Sequence, residues 1–387
     1  MSKLSEATRS TRKYLIYFLI FALVIIILQS IYRYVTSREE GPSEDASPYA
    51  YTDNQFGGIE YPTIPSVPLA DGSTPAFSIQ GRFAQSPTSV NIYQIEKPRE
   101  TLGSVAKGQS IAEFMKFSPN YQTVDNILVW QTENQARKLE YHKITRDIHY
   151  LNARLTKASY QQQLASSTDA SRIDSTFTNI LGSLGGSNYH DLENIVTYIS
   201  EENSNYKTVA TFEQADFVRR DSFIKLEEVS LKASYNQTAG QASPIQGIIY
   251  LDDPFTGIVN ATLLKRRTDS STVTNQDILK EFNEIGIIIN SAKGVYKLKS
   301  IEEAWEDVRD GKASLRSLIK TNEDRFSIHT PLRVNRFIVN PDQSHLGYYL
   351  TTDWTGFIYP IYVFKGTAEL EGGETAQFIF YTKAIAD

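Results

Sequence analysis

Nineteen consecutive residues without a charge, Tyr14–Tyr32 (YLIYFLIFALVIIILQSIY), constrain this chain more than any other feature. As a helix the run would rise about 28 Å, close to the ~30 Å hydrocarbon thickness of a bilayer. Only Gln29 and Ser30 in it are clearly polar, and Tyr14, Tyr17, Tyr32 and Tyr34 sit near its ends, where amphipathic rings settle. A cleaved signal peptide would carry a shorter apolar core and a small-x-small site. Here the run ends in Gln-Ser-Ile-Tyr-Arg-Tyr, with no such site. The expectation is an uncleaved transmembrane helix over 14–34 behind a cytoplasmic stub, 1–13. Lys3, Arg9, Arg12 and Lys13 precede the span, while Arg33 and Arg38 alone follow it closely. The positive-inside rule then puts the N-terminus in the cytoplasm. The expected localisation is the cell membrane, single-pass, with an extracytoplasmic C-terminal domain and the lipid bilayer as a partner through the N-terminal helix.

Charge and cysteine usage narrow the partners. Positions 1–35 hold five of the 39 basic residues and one of the 45 acidic ones, leaving 34 and 44 downstream, a net of −10. An acidic domain without a basic stripe excludes nucleic acid, whose phosphates need neutralising. The chain has no cysteine, so disulfides, thiolate metal sites and cysteine nucleophiles are out. Stability must come from the core alone. With 41% apolar residues a core can form, and 23 Tyr and 19 Phe favour strands, on whose pleated surface flat rings pack well.

Residues 35–84 read as a Pro-rich acidic linker or extended arm; Pro42, Pro48, Pro62, Pro65, Pro68 and Pro75 fall in it. In the extended form Phe56, Ile59, Tyr61, Ile64 and Val67 would lie along the domain surface. Beyond it a strand and helix grammar recurs in three units, 85–160, 161–270 and 271–387. In the first, Ser89–Glu96 alternates as a half-buried strand, 104–117 has helical spacing, and Ile127–Thr132 and Lys138–Tyr150 are strands with a bend in the latter. The second offers a helix over 169–184, then strands at Phe223–Tyr235, Ile245–Tyr250 and Gly257–Arg266. The third offers a helix over Asn275–Gly286, a strand Gly294–Lys299, and a capping box at Ser300-Ile-Glu-Glu303 opening a helix that Gly311 ends. Strands follow at Arg333–Val339, Gly347–Thr352, Phe357–Phe364 and Gln377–Ile385.

The run Tyr296-Lys-Leu-Lys-Ser-Ile-Glu-Glu-Ala-Trp305 and the strand Tyr359-Pro-Ile-Tyr-Val-Phe-Lys-Gly366 resemble pieces of exported bacterial proteins with PepSY-like units. The layout is similar to the YycH/YycI-type membrane-anchored regulators of the bacterial cell-wall histidine kinase. The segment Phe56–Pro65 (FGGIEYPTIP) resembles one that precedes the first unit in a group of single-pass bacterial proteins. The resemblance implies regulation or binding and brings no catalytic residues. The expected fold is α+β: an N-terminal transmembrane helix followed by tandem helix-on-antiparallel-sheet, PepSY-like units.

Motifs for catalysis are missing. There is no HExxH, GxSxG, Walker or GxGxxG pattern, and the five histidines (142, 149, 190, 329 and 345) form no cluster in sequence. No catalytic, cofactor-binding or metal residue is assigned, and no cofactor is expected. Trp305 and Trp354 are the candidate partner-binding residues, since large aromatic side chains anchor interfaces. The expected function is non-enzymatic: a membrane-anchored extracytoplasmic protein that binds and regulates or scaffolds another membrane or envelope protein. An envelope hydrolase or small-ligand sensor with a spatially assembled site is the alternative.

Overall fold

Strands dominate the regular structure of the described residues. The computed structural model describes residues 52–84, 87–156, 170–184, 192–202, 205–227, 246–265, 275–326, 329–351 and 355–386. All belong to the compact unit Tyr51–Asp387. Its first half holds β1 (Ala76–Ile79), β2 (Ser89–Ile95), α1 (Ser104–Phe114), β3 (Gln122–Val124), β4 (Ile127–Gln131), β5 (Arg137–His142), β6 (Ile148–Asn152), α2 (Ala170–Leu184), β7 (Leu192–Glu202), β8 (Asn205–Val209) and β9 (Phe217–Glu227). Its second half holds β10 (Gln246–Tyr250), β11 (Val259–Leu264), β12 (Leu279–Glu284), β13 (Ile289–Lys297), α3 (Ile301–Arg309), β14 (Ser314–Lys320), β15 (Val334–Val339), β16 (His345–Tyr349), β17 (Phe357–Leu370) and β18 (Thr375–Lys383).

Two strand systems share one hydrogen-bonded network. The first is antiparallel throughout, in the order β3-β4-β5-β6-β12-β11-β9-β7-β8. The second is built on β17. One edge of β17 takes β18, which continues to β14. Its other edge takes β15 and then β16. Parallel partners extend these, β1 on β15 and β10 on β16. The start of β17 also pairs with β2, which pairs with β13. The systems join through β9, whose last residues, 225–227, leave β11 and β7 and pair with β10.

The helices are few and lie on this framework. α1 approaches closely because Gly108 has no side chain; a Cβ there would meet the rings of Tyr141 and Trp130 at 2.8 and 3.2 Å. α2 buries Ile173, Phe177, Ile180 and Leu184, which share a helical face, into the same core. α3 starts at a full capping box, with Ser300 accepting from the Glu303 amide and Glu303 accepting from the Ser300 amide. Its buried face (Ile301, Ala304, Trp305, Val308) packs on the aromatic strands behind it.

Residues 52–75 run extended along the surface and are held by both backbone and side chains. Asp53 and Val67 donate their amides to Val295 and Leu315 at 3.1 and 2.6 Å. The Tyr61 hydroxyl donates to the Pro360 carbonyl at 2.6 Å, and its ring lies 5.2 Å from that of Tyr359. Arg316 donates to Pro65. Phe56, Ile59 and Ile64 add apolar contact with the sheet.

The architecture corrects the expected fold class. The described chain is mostly a large mixed β-sheet, with a few helices upon it, and not a series of PepSY-like helix-on-sheet units. Strands distant in sequence are partners: β12 inserts between β11 and β6, and β2 lies beside β13 and β17. Local strand and helix groups therefore do not close their own sheets. The helix expected over Asn275–Gly286 is another correction, since only the turn Asn275–Ile278 is helical before β12 begins. Leu279 and Phe282 are buried, and the demand of two flanking strands for hydrogen bonds outweighs helix propensity here.

The single-pass membrane expectation, with its cell-membrane localisation, is also corrected. Among the described residues no helix is long and apolar enough to cross a membrane. Residues 14–34 themselves lie outside the described residues.

Gly366 gives a direct check on the central sheet. A Cβ at this position would press on the Ile338 carbonyl of β15 and sit 2.9 Å from the Phe378 ring. Gly366→Ala should cost about 1–3 kcal/mol by overpacking, read as a lower urea midpoint with an unchanged slope. A midpoint equal to the parent's would show that β15 and β17 are not packed this closely.

Candidate functional site

A cavity opens where the two strand systems meet. It is a cleft of about 640 Å³, within the 300–1,000 Å³ usual for small-molecule sites. Ile195 of β7, Phe223 of β9, Ile248 of β10, Leu346 of β16 and Ile379 of β18 give it apolar walls, joined by Phe255 from the loop after β10. Seven polar side chains also line it: Glu193, Tyr250, Arg325, Ser344, His345, Tyr362 and Lys365. Strand register places them. Glu193 and Ile195 are two apart on β7 and so share a face. The parallel pairing of β10 with β16 sets Tyr250 opposite Tyr349, four residues beyond His345. Gly347 makes room for the Tyr250 ring; a Cβ there would stand 2.9 Å from it.

Tyr250 and His345 form a defined pair. Nδ1 of His345 lies 3.0 Å from the Gln343 carbonyl, which can only accept, so Nδ1 carries the proton. Nε2 is then the acceptor for the Tyr250 hydroxyl at 2.7 Å. Burial, helped by the charge of Lys365, lowers the His345 pKa to about 4, so the ring is neutral at physiological pH. Burial also raises the Tyr250 pKa, and the charge of Glu193 adds to this, so the hydroxyl keeps its proton.

The two cations differ in how they are compensated. Arg325 donates to Asp221 at 3.3 Å and to Thr197 at 3.0 Å. Asp221 is fully buried and also takes Arg219 through three hydrogen bonds of 2.9 to 3.1 Å. The Arg325 charge is thus spent on structure. Lys365 has no such partner. Among the described residues no carboxylate pairs with it, and its ammonium lies 5.9 Å from the Tyr250 ring centroid. Burial lowers its pKa, with Glu193 acting in the opposite sense. The cleft therefore offers apolar walls, the Glu193 carboxylate, and a partly desolvated cation with no ion-pair partner among the described residues.

Trp305 and Trp354, the residues singled out from sequence, are not part of this cleft. Trp305 is 3% exposed and packs against Phe364 at 5.4 Å, Phe77 at 5.9 Å and Phe83 at 6.4 Å, so its indole is a core side chain. Trp354 lies outside the described residues. His142 and His149 stand apart from the cleft too. His142 Nδ1 accepts the Ile144 and Thr145 amides within its turn, and His149 faces Asn283 at 2.9 Å. Among the described residues no group of three or more His, Asp or Glu side chains could hold a metal ion. Sequence reasoning missed Tyr250, His345 and Lys365, because 115 residues separate the first from the last and nothing local marks them.

The chain matches no protein-family model and no curated protein sequence. A structural likeness exists to the crystal structure of an uncharacterized protein from Eubacterium rectale, with a TM-score of 0.37 and 8% identity, covering 79% of this chain and 86% of that one. A likeness at that level carries no argument about either fold or function.

The neutral His345 ties stability to pH. A histidine whose folded pKa is depressed contributes stability above its ordinary value of 6.5, lost as pH falls toward 4. The loss should be on the order of 2–3 kcal/mol. His345→Gln, which keeps an acceptor for Tyr250, should remove this part of the acid sensitivity. Urea unfolding at pH 7 and pH 4.5 measures it; a variant losing as much stability as the parent would exclude His345 as the cause.

Proposed function

We propose that this chain is a non-enzymatic ligand-binding protein whose cleft takes a small amphipathic anion, a molecule with an apolar body and one carboxylate. The observation that carries this reading is the Lys365 ammonium, which has no ion-pair partner among the described residues, beside the apolar walls of the cleft. A bound carboxylate would supply the counter-charge that the protein withholds, and the walls of Ile195, Phe223, Ile248 and Ile379 would cover the apolar body. Tyr250 and His345 shape the wall beside it.

Binding is favoured over turnover because the reactive-looking groups are engaged. Both ring nitrogens of His345 are held, by Gln343 and by Tyr250. The hydroxyl of Ser344, another cleft residue, donates to the Asn340 carbonyl at 2.8 Å. A nucleophile with a free base beside it, the requirement for covalent catalysis, is not assembled there. The partner-protein reading has less support, as Trp305 is in the core.

Titration calorimetry with decanoate and with decanol separates charge from apolar burial. Decanoate should bind more tightly than decanol. Lys365→Met should weaken decanoate about tenfold, a loss of about 1.4 kcal/mol, and leave decanol unchanged. Equal affinity for acid and alcohol, or no binding of either, would overturn the proposal.

A further inference from the structure

A second cavity, of about 310 Å³, is lined by residues of α1 and of the strands β5, β6 and β12. Its floor carries an anomaly. Glu284, the last residue of β12, is 6% exposed, and its Oε2 is shut from solvent with no hydrogen-bond donor. Register with Val259 on β11 and Ile148 on β6 fixes its backbone, so the carboxyl cannot swing away cheaply. An orphaned buried carboxylate costs free energy that a native fold does not usually leave unrecovered.

The surroundings are of mixed sign. Lys107 of α1 and Arg146, from the turn before β6, also line the cavity, and neither forms an ion pair among the described residues. Asp147, beside Arg146, is already committed: its Oδ1 accepts the Gly286 amide at 2.9 Å and its Oδ2 the Thr145 hydroxyl at 2.6 Å. Ile148, Leu184, Ile287 and Ile288 provide an apolar wall. A simple cation would meet Lys107 and Arg146, and a simple anion would meet Glu284 and Asp147. A molecule carrying both charges satisfies both sets.

We propose that this cavity binds a free α-amino acid with an aliphatic side chain, its ammonium on Glu284, its carboxylate on Lys107 and Arg146, and its side chain against Ile148, Leu184 and Ile288. The volume admits one such molecule. The site is separate from the cleft at Lys365 and does not depend on the reading of that cleft. The titratable and charged groups around Glu284 are Lys107 from α1, Arg146 and Asp147 from the turn before β6, and Tyr141 from β5. Burial first, and Asp147 after it, raise the Glu284 pKa to about 7, while Lys107 opposes the shift. Ammonium binding needs the ionised carboxyl, so affinity should rise with pH between 6 and 8.

The test is calorimetry on the full chain with leucine, N-acetyl-leucine and leucine amide. Leucine should bind, and each blocked form, lacking one charge, should bind at least tenfold more weakly. Glu284→Gln, nearly isosteric, should weaken leucine at least tenfold and abolish the pH dependence, and Lys107→Met should weaken it several-fold. Lys365→Met should leave leucine binding as it is. No binding of leucine to the parent chain, equal binding of the blocked forms, or a Glu284→Gln variant that binds like the parent would each overturn the proposal. The blocked ligands act on the unaltered protein, so the test stands even if Glu284→Gln fails to fold.

Discussion

A strand buried on both faces must hand its backbone amides to neighbours, and β17 does this with four partners: β18 on one edge, β15 and β16 in succession on the other, and β2 at its start. Water cannot reach these groups, so each missing partner would leave a polar atom stranded in a low-dielectric core. The fourteen residues Phe357–Leu370 thereby dictate where the surrounding strands lie. The placing of two of the cleft residues follows from that requirement. His345 sits where it does because β16 runs against the first half of β17, and Lys365 because β18 holds the other edge.

The parts of the fold that were legible in sequence are those with a local physical cause. The capping box at Ser300 and Glu303 is closed by atoms three residues apart, and it appears as read. The helix at Ala170–Leu184 shows its apolar face in the order of its residues. The alternation in Ser89–Ile95 marks a strand whatever lies beside it. Pairing is not local. Nothing within Leu279–Glu284 reports that β6, more than a hundred residues earlier, needs a partner on that side. The same residues carry helix-like spacing, and the sheet decides. The expectation of repeated PepSY-like units failed for this reason: a strand followed by a helix reads alike whether the strand closes a small local sheet or joins a large one.

The sites were less legible still. Tyr250 and His345 meet only because β10 and β16 run parallel, and the proton on Nδ1 is settled by a carbonyl two residues away. Glu284 looks in sequence like one acidic residue among many. Its position on a strand flanked on both sides is what removes it from water.

The extended segment that Tyr61 fastens to Pro360, 299 residues away, has a consequence for biosynthesis. Translation delivers this segment and β2 long before the strands that receive them, since β13 begins at Ile289 and β17 at Phe357. Loop closure over such distances is slow, and unpaired strand edges are sticky while they wait. The prolines at 62, 65 and 68 remove amides that could otherwise pair with the wrong neighbour. A segment that clamps the finished molecule is thus also written so as to stay unattached on the ribosome until its docking strands emerge.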